Sequence, residues 1–118
     1  MLASALLAPA EATAVGGIAA VRAGQAGEAS VRGVADIGEK LAIRVAGRTR
    51  IPDGLTNSVL TEVKNVKSLS YTRQLRDFTS YAQSNDLRFD LWVRKGAEVS
   101  GPLQEAIRNG AINLRIIP

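Results

Sequence analysis

Cysteine and histidine are both missing from this chain of 118 residues, and their absence removes most familiar catalytic chemistries. Without cysteine there is no disulfide framework, no thiolate nucleophile and no thiolate zinc site. Without histidine there is no Ser-His-Asp or Cys-His arrangement and no His-Glu-x-x-His zinc motif. Any bound metal must therefore be held by oxygen, which suits Mg²⁺, Mn²⁺ or Ca²⁺. A long uninterrupted apolar run is lacking too. The Ala- and Gly-rich residues 1–26 are broken by Pro9, Glu11, Gly16 and Gly17, which argues against a membrane-spanning helix and predicts no stable membrane insertion. They also lack the basic start of a signal peptide. No internal repeat is present.

What remains fits one domain with a core large enough to need no staples. Lys and Arg number 15 against 11 Asp and Glu, and the isoelectric point is near 10.0, which favours an anionic partner without specifying one. The composition divides the chain into a small-residue leader or linker, 1–26, with short helical pieces, and a compact domain, 27–118; the alternative for the leader is a helix that packs on the domain or inserts transiently in a membrane. In the domain, residues 28–37 read as a helix with Val31, Val34 and Ile37 on one side. Residues 41–46 alternate as a strand, Gly47 turns, and 48–53 return as a second strand. Residues 54–58 read as a loop and 59–66 as a third strand. Residues 71–83 form the clearest helix, with Tyr71, Leu75, Phe78 and Ala82 on its buried side and Ser70 as the N-cap. A fourth strand follows at 89–93, a short helix at 101–109 and a last strand at 112–117. The order predicts an α/β (α+β) fold with a mixed sheet, since the helix between the third and fourth strands implies a parallel crossover.

The informative stretch is RIPDGLTNSVLTEVKNVK, residues 50–67. Side chains alternate along a strand, so Leu60, Glu62, Lys64 and Val66 share one face. Asp53 ends the preceding strand and can approach Glu62 if the two strands are neighbours. Two adjacent carboxylates repel and are costly when half-buried, unless a cation lies between them. A divalent ion removes that cost, activates water and offsets charge on a phosphodiester. Lys64 could orient the water or stabilise the transition state. The plainer reading of the same spacing is a surface Glu62–Lys64 ion pair with Asp53 as a turn residue.

Pro52-Asp53, eight residues, then Glu62-Val63-Lys64 resembles the PD-(D/E)xK motif of the restriction-endonuclease-like superfamily. The predicted order of helix, three strands, helix and strand resembles its core over residues 27 to 117. The run GRTRIPDGLTNSVLTEVKNVKSLSYTRQLRDFTSYA, residues 47–82, is similar to restriction-endonuclease-fold toxin domains at the C-termini of bacterial polymorphic toxins, including Rhs-type proteins.

The resemblance implies a metal-dependent endonuclease toxin, with Mg²⁺ or Mn²⁺ on Asp53 and Glu62 and Lys64 assisting the attacking water. DNA is the expected substrate, and RNA is possible. It implies delivery into the cytoplasm of a competitor cell, a cognate immunity protein, and an artificial or cleaved start at Met1 in what was the tail of a larger chain. Glu28 is the candidate for a third carboxylate, or else an acid favoured by the helix N-terminus. Gln74 corresponds to a glutamine that meets substrate or the catalytic lysine in relatives, although Phe78 stands where they sometimes carry tyrosine. Arg48, Arg50, Arg73, Arg76 and Lys67 are candidates for phosphate contacts. Trp92 reads as core rather than as a base-stacking platform. The competing readings are a non-catalytic binding module on a nuclease fold, and a resolvase-like or repair nuclease.

Overall fold

The strongest helical periodicity in the chain sits in residues 73–84, where Leu75, Phe78, Thr79 and Ala82 fall on one face and are buried. The computed structural model describes residues 8–118, with side chains from residue 17, and this helix is the second of three among the described residues. In order, the elements are α1 (Ala8–Arg32), β1 (Ile43–Val45), β2 (Arg48–Arg50), β3 (Gly54–Leu55), β4 (Val59–Lys64), β5 (Ser68–Leu69), α2 (Arg73–Ser84), β6 (Arg88–Val93), β7 (Glu98–Val99), α3 (Gly101–Arg108) and β8 (Asn113–Ile116).

Four strands make the main sheet in the order β3-β4-β6-β8. β3 runs antiparallel to β4, whereas β4, β6 and β8 are parallel, so the sheet is mixed as expected. The β4–β6 register pairs Leu60 with Phe89, Glu62 with Leu91 and Lys64 with Val93, which puts these six on one face. That face carries the larger core, built from Leu60, Phe89, Leu91 and Val93 with Leu75, Phe78 and Ala82 of α2 and Leu103 and Ala106 of α3. Phe78 meets Phe89 edge to face at 6.1 Å, an arrangement worth about 1 kcal/mol beyond its buried area. On the opposite face, Val63 and Trp92 pack with Val31 and Ile37 from the α1 region. Trp92 is a core residue, with Arg115 stacked 4.5 Å from its ring.

Several boundaries differ from the sequence expectations, each for a local reason. α1 is one continuous helix that passes through residue 27, rather than short pieces followed by a helix at 28–37. Gly27 is the point of closest approach. A Cβ there would come 2.9 Å from the Asn65 Cβ, so the bare backbone lets α1 lie against the end of β4. α1 stops at Arg32, which leaves Val34 exposed instead of on the buried side. The N-cap of α2 is Thr72, whose hydroxyl accepts from Leu75 N–H, rather than Ser70, so Tyr71 packs from outside the helix. The strand expected at 48–53 ends at Arg50 and pairs only with β1, as a separate hairpin. Residues 54–55, expected as loop, are the strand that pairs with β4. The two-residue pair β5 and β7 has no sequence signature. Expectations for residues 1–7 lie outside the described residues. Among the described residues no helix is long and apolar enough to cross a membrane.

Candidate active site

β4 is flanked on both sides by other strands, and its burial pattern shows why its acid is unusual. Glu62 lies on the same face as Leu60 and Leu91, and only 4% of it is exposed. A carboxylate in that position needs partners. Its Oε1 accepts the Asp53 backbone N–H at 3.1 Å, and its Oε2 lies 3.3 Å from Lys64 Nζ. Lys64 Nζ in turn donates to Gln74 Oε1 at 2.7 Å, and Gln74 comes from the first turn of α2. The motif acid, the lysine and the helix glutamine thus form one chain of contacts.

Asp53 is positioned by backbone on both sides. Its Oδ2 accepts Val63 N–H at 2.9 Å, which ties it to β4. The next residue, Gly54, pairs with Thr61 across the β3–β4 ladder. The Ile37 carbonyl lies directly over Gly54, and a Cβ there would overlap it, so only glycine admits this crossing. The Pro-Asp-Gly turn is therefore held to a fixed place beside Glu62.

Burial, the largest influence, and the nearby Asp53 charge push the Glu62 carboxyl from 4.5 to about 7, against the opposing pull of Lys64 and the Asp53 N–H. Asp53 has Lys40 as its cationic partner and Glu62 has Lys64. The pair's oxygen-only donor set fits a divalent cation, which binds such carboxylates in their ionised form. Among the described residues no three acidic groups converge tightly enough to complete a ligand set unaided.

Glu28 reaches this cluster from the last turns of α1, but through an intermediary that sequence reasoning missed. Lys40 Nζ lies 2.8 Å from Glu28 Oε1 and 3.0 Å from Asp53 Oδ1. The Glu28 hydrogen bond, with that to Asp53, holds the Lys40 ammonium above its ordinary value despite partial desolvation. Arg32 fastens the same elements: it pairs with Glu28 Oε2 at 3.1 Å and donates to the carbonyls of Gly38 and Asp53. Neither residue belongs to a spacing motif, since Lys40 stands in the irregular segment between α1 and β1.

The candidate phosphate-binding residues fall into two groups. Arg48 and Arg50 are both engaged by Asp77 of α2, which is 5% exposed. Arg48 makes a two-bond fork to it at 2.9 and 2.7 Å, and Arg50 adds a third bond at 2.9 Å. The Arg48 bond, with that of Arg50, draws the Asp77 carboxyl down to about 2. These arginines anchor the β1–β2 hairpin to α2. Arg73 and Lys67 are exposed beside the motif, and Arg76 stacks 4.1 Å from the Tyr71 ring while donating to the Tyr71 carbonyl. Arg94, not singled out in the sequence, donates to the Asn65 side chain and carbonyl just past Lys64. A cavity of about 530 Å³ over β5 and β7, lined by Ser68, Leu69, Ser70, Glu98, Val99 and Ser100, is separate from this chemistry.

A mixed sheet with an acid pair and a lysine at the β3–β4 junction, supported by a helix glutamine, defines a restriction-endonuclease-like domain. The family model described as restriction endonuclease fold toxin 7 matches residues 24–103, more than half of the chain, and the chain belongs to that family. No curated protein and no solved structure matches it.

Proposed function

We propose that this domain is a divalent-cation-dependent nuclease toxin that hydrolyses phosphodiester bonds of DNA, with Asp53 and Glu62 as metal ligands and Lys64 as the residue that assists the attacking water. The observation that carries this reading is the contact chain Asp53–Glu62–Lys64–Gln74, in which the Asp53 N–H donates to Glu62 and Lys64 bridges Glu62 and Gln74. A surface ion pair would not be expected to bury its acid on the core face of an inner strand. The bound cation, Mg²⁺ or Mn²⁺, would supply an activated water and offset charge on the phosphoryl oxygens.

The protein's own groups do the rest. Gln74 fixes the Lys64 amine, and the amine stands beside Glu62, where it can orient water or meet charge building on the phosphorus substituents. Attack forms one P–O bond and breaks another, and the leaving oxygen takes up a proton. Arg73 and Lys67 are exposed next to the motif and could meet flanking phosphates. Membership of a toxin family supports action inside a competitor cell and neutralisation by a dedicated immunity protein as part of this proposal.

Incubating the protein with supercoiled plasmid, and separately with RNA, in Mg²⁺ or EDTA tests this. DNA cleavage in Mg²⁺ alone is expected. Asp53→Ala, Glu62→Gln and Lys64→Ala should each remove most of it, because members of one catalytic unit are not additive. Equal cleavage in EDTA refutes the metal role. Cleavage of RNA alone moves the substrate and leaves the site standing. No cleavage of either favours a binding module.

A further inference from the structure

The Glu28–Lys40–Asp53 bridge bears on how many cations the site can hold. Glu28 and Asp53 are separate acids on separate elements, and both turn one oxygen toward the same point. That point is occupied by Lys40 Nζ, 2.8 Å from Glu28 Oε1 and 3.0 Å from Asp53 Oδ1. We propose that the Lys40 ammonium takes the place of a second metal ion, so that the active site binds a single divalent cation on its Asp53–Glu62 side. The inference rests on the nuclease reading above and specifies its metal stoichiometry.

Three observations support it. First, the backbone leading into Lys40 is held in place. Leu55 N–H donates to the Glu39 carbonyl at 3.1 Å, which pins the backbone next to Lys40 against β3. Arg32 holds the Gly38 carbonyl at 2.9 Å and the Asp53 carbonyl at 2.7 Å, which fixes the same connection to the motif turn. Second, both Glu28 oxygens already face cations, Oε1 Lys40 and Oε2 Arg32, whereas Asp53 gives Oδ1 to Lys40 but meets only the neutral Val63 N–H with Oδ2, which keeps a lone pair for a metal ion. A divalent ion bridging Glu28 and Asp53 would sit about 2.0–2.6 Å from each oxygen, in the space that Nζ fills, and the two cations would repel.

Third, the charges balance. Glu28, Asp53 and Glu62 face Arg32, Lys40 and Lys64, three acids against three cations. Adding one divalent ion gives the excess that a diester anion and a hydroxide would together neutralise. Adding two would leave an uncompensated surplus in a site where Glu62 is already desolvated.

Counting Mn²⁺ bound to the full chain, by loss of the free-ion paramagnetic resonance signal and without nucleic acid, tests the inference. Wild-type protein should bind one ion. Lys40→Ala, at a side chain half-exposed enough to spare the fold, should bind two. Glu28→Gln should still bind one ion with affinity within about threefold of wild type. Two ions on the wild type, or one on Lys40→Ala, overturns the inference while leaving the nuclease reading intact. A tenfold or greater loss of affinity in Glu28→Gln also overturns it, since Glu28 would then ligate the first ion. Wild-type protein that binds no Mn²⁺ instead sinks the metal reading on which the inference stands.

Discussion

Replacing Glu62, the proposed metal ligand, with its amide should make this protein more stable at alkaline pH when no metal is present. The Glu62 carboxyl has its pKa displaced from 4.5 to about 7, chiefly by burial. The folded state therefore holds its proton more tightly than the unfolded state, and stability falls as pH rises from 4.5 to about 7. At about 1.4 kcal/mol per pH unit, that interval costs roughly 3 kcal/mol at pH 8. Glu62→Gln keeps the shape, and its amide oxygen can still accept the Asp53 N–H, but it carries no charge to desolvate. Some of the gain is lost because Lys64 gives up an anionic partner, which leaves about 1–2 kcal/mol, or very roughly 4–8 °C in Tm. Urea denaturation of both proteins in EDTA, at pH 5 and pH 8, reads this directly. The variant should match the wild type within about 0.5 kcal/mol at pH 5 and exceed it at pH 8. Added Mn²⁺ should then stabilise the wild type selectively, because binding to the folded state adds RT ln(1 + [L]/Kd). A variant less stable than wild type by the same amount at both pH values would refute the reasoning and make Glu62 an ordinary structural ion-pair partner.

Asp77→Asn should destabilise the protein by roughly 2 kcal/mol at pH 7, less than a fully buried pair because both arginines are partly solvated. Its carboxyl is drawn down to about 2, so its contribution is complete above 3.8 and is lost as pH falls through about 2; urea melts of the two proteins should therefore converge near pH 2. Gly54→Ala should cost about 3 kcal/mol, because the new Cβ overlaps the Ile37 carbonyl, and should abolish cleavage by shifting Asp53; thermal melts and the plasmid assay read the two effects separately. Wild-type stability and activity in the Gly54→Ala variant would show that the turn tolerates a displaced Ile37–Gly38 backbone.

The acid and lysine of β4 could be read from the sequence because strand alternation is a local property, and Glu62 and Lys64 do project together. Asp53 does lie beside Glu62, but for a different reason from the one its sequence position suggests. It does not end the long returning strand. The hairpin stops at Arg50, and Asp53 precedes the two-residue β3 that pairs with β4. A two-residue strand shows no period, so the Gly54–Leu55 pairing reads as loop, and β5 and β7 are invisible for the same reason. The α2 start slips because Ser70 and Thr72 are both good caps and Tyr71 lies at helical spacing from Leu75. The arginines have a basic-patch reading that composition alone cannot resolve. Asp77 is 29 residues from Arg48 in sequence, and only the tertiary fold brings them together.

The largest gap concerns Lys40 and Arg32, and it changes what α1 is for. A boundary near residue 27 treats the preceding residues as a leader, yet α1 runs unbroken across it. The helix carries Glu28 and Arg32 into the cluster around Asp53, and the Asn65 side chain at the end of β4 donates to the Ala23 carbonyl of the same helix. Val31 below them is fully buried against the sheet face that holds Val63 and Trp92. Docking of α1 and placement of Asp53 are therefore not independent: Val31, which seats the helix, is next to Arg32, which holds the Asp53 carbonyl. Contacts this close share partners, so their energies couple rather than add. Opening α1 would release Arg32 from the Asp53 carbonyl and Glu28 from Lys40 together, and would leave Lys40 with Asp53 as its remaining acid partner. β4 is paired on both sides, but the turn that carries Asp53 beside it is also tied to a helix that packs on the far face of the sheet.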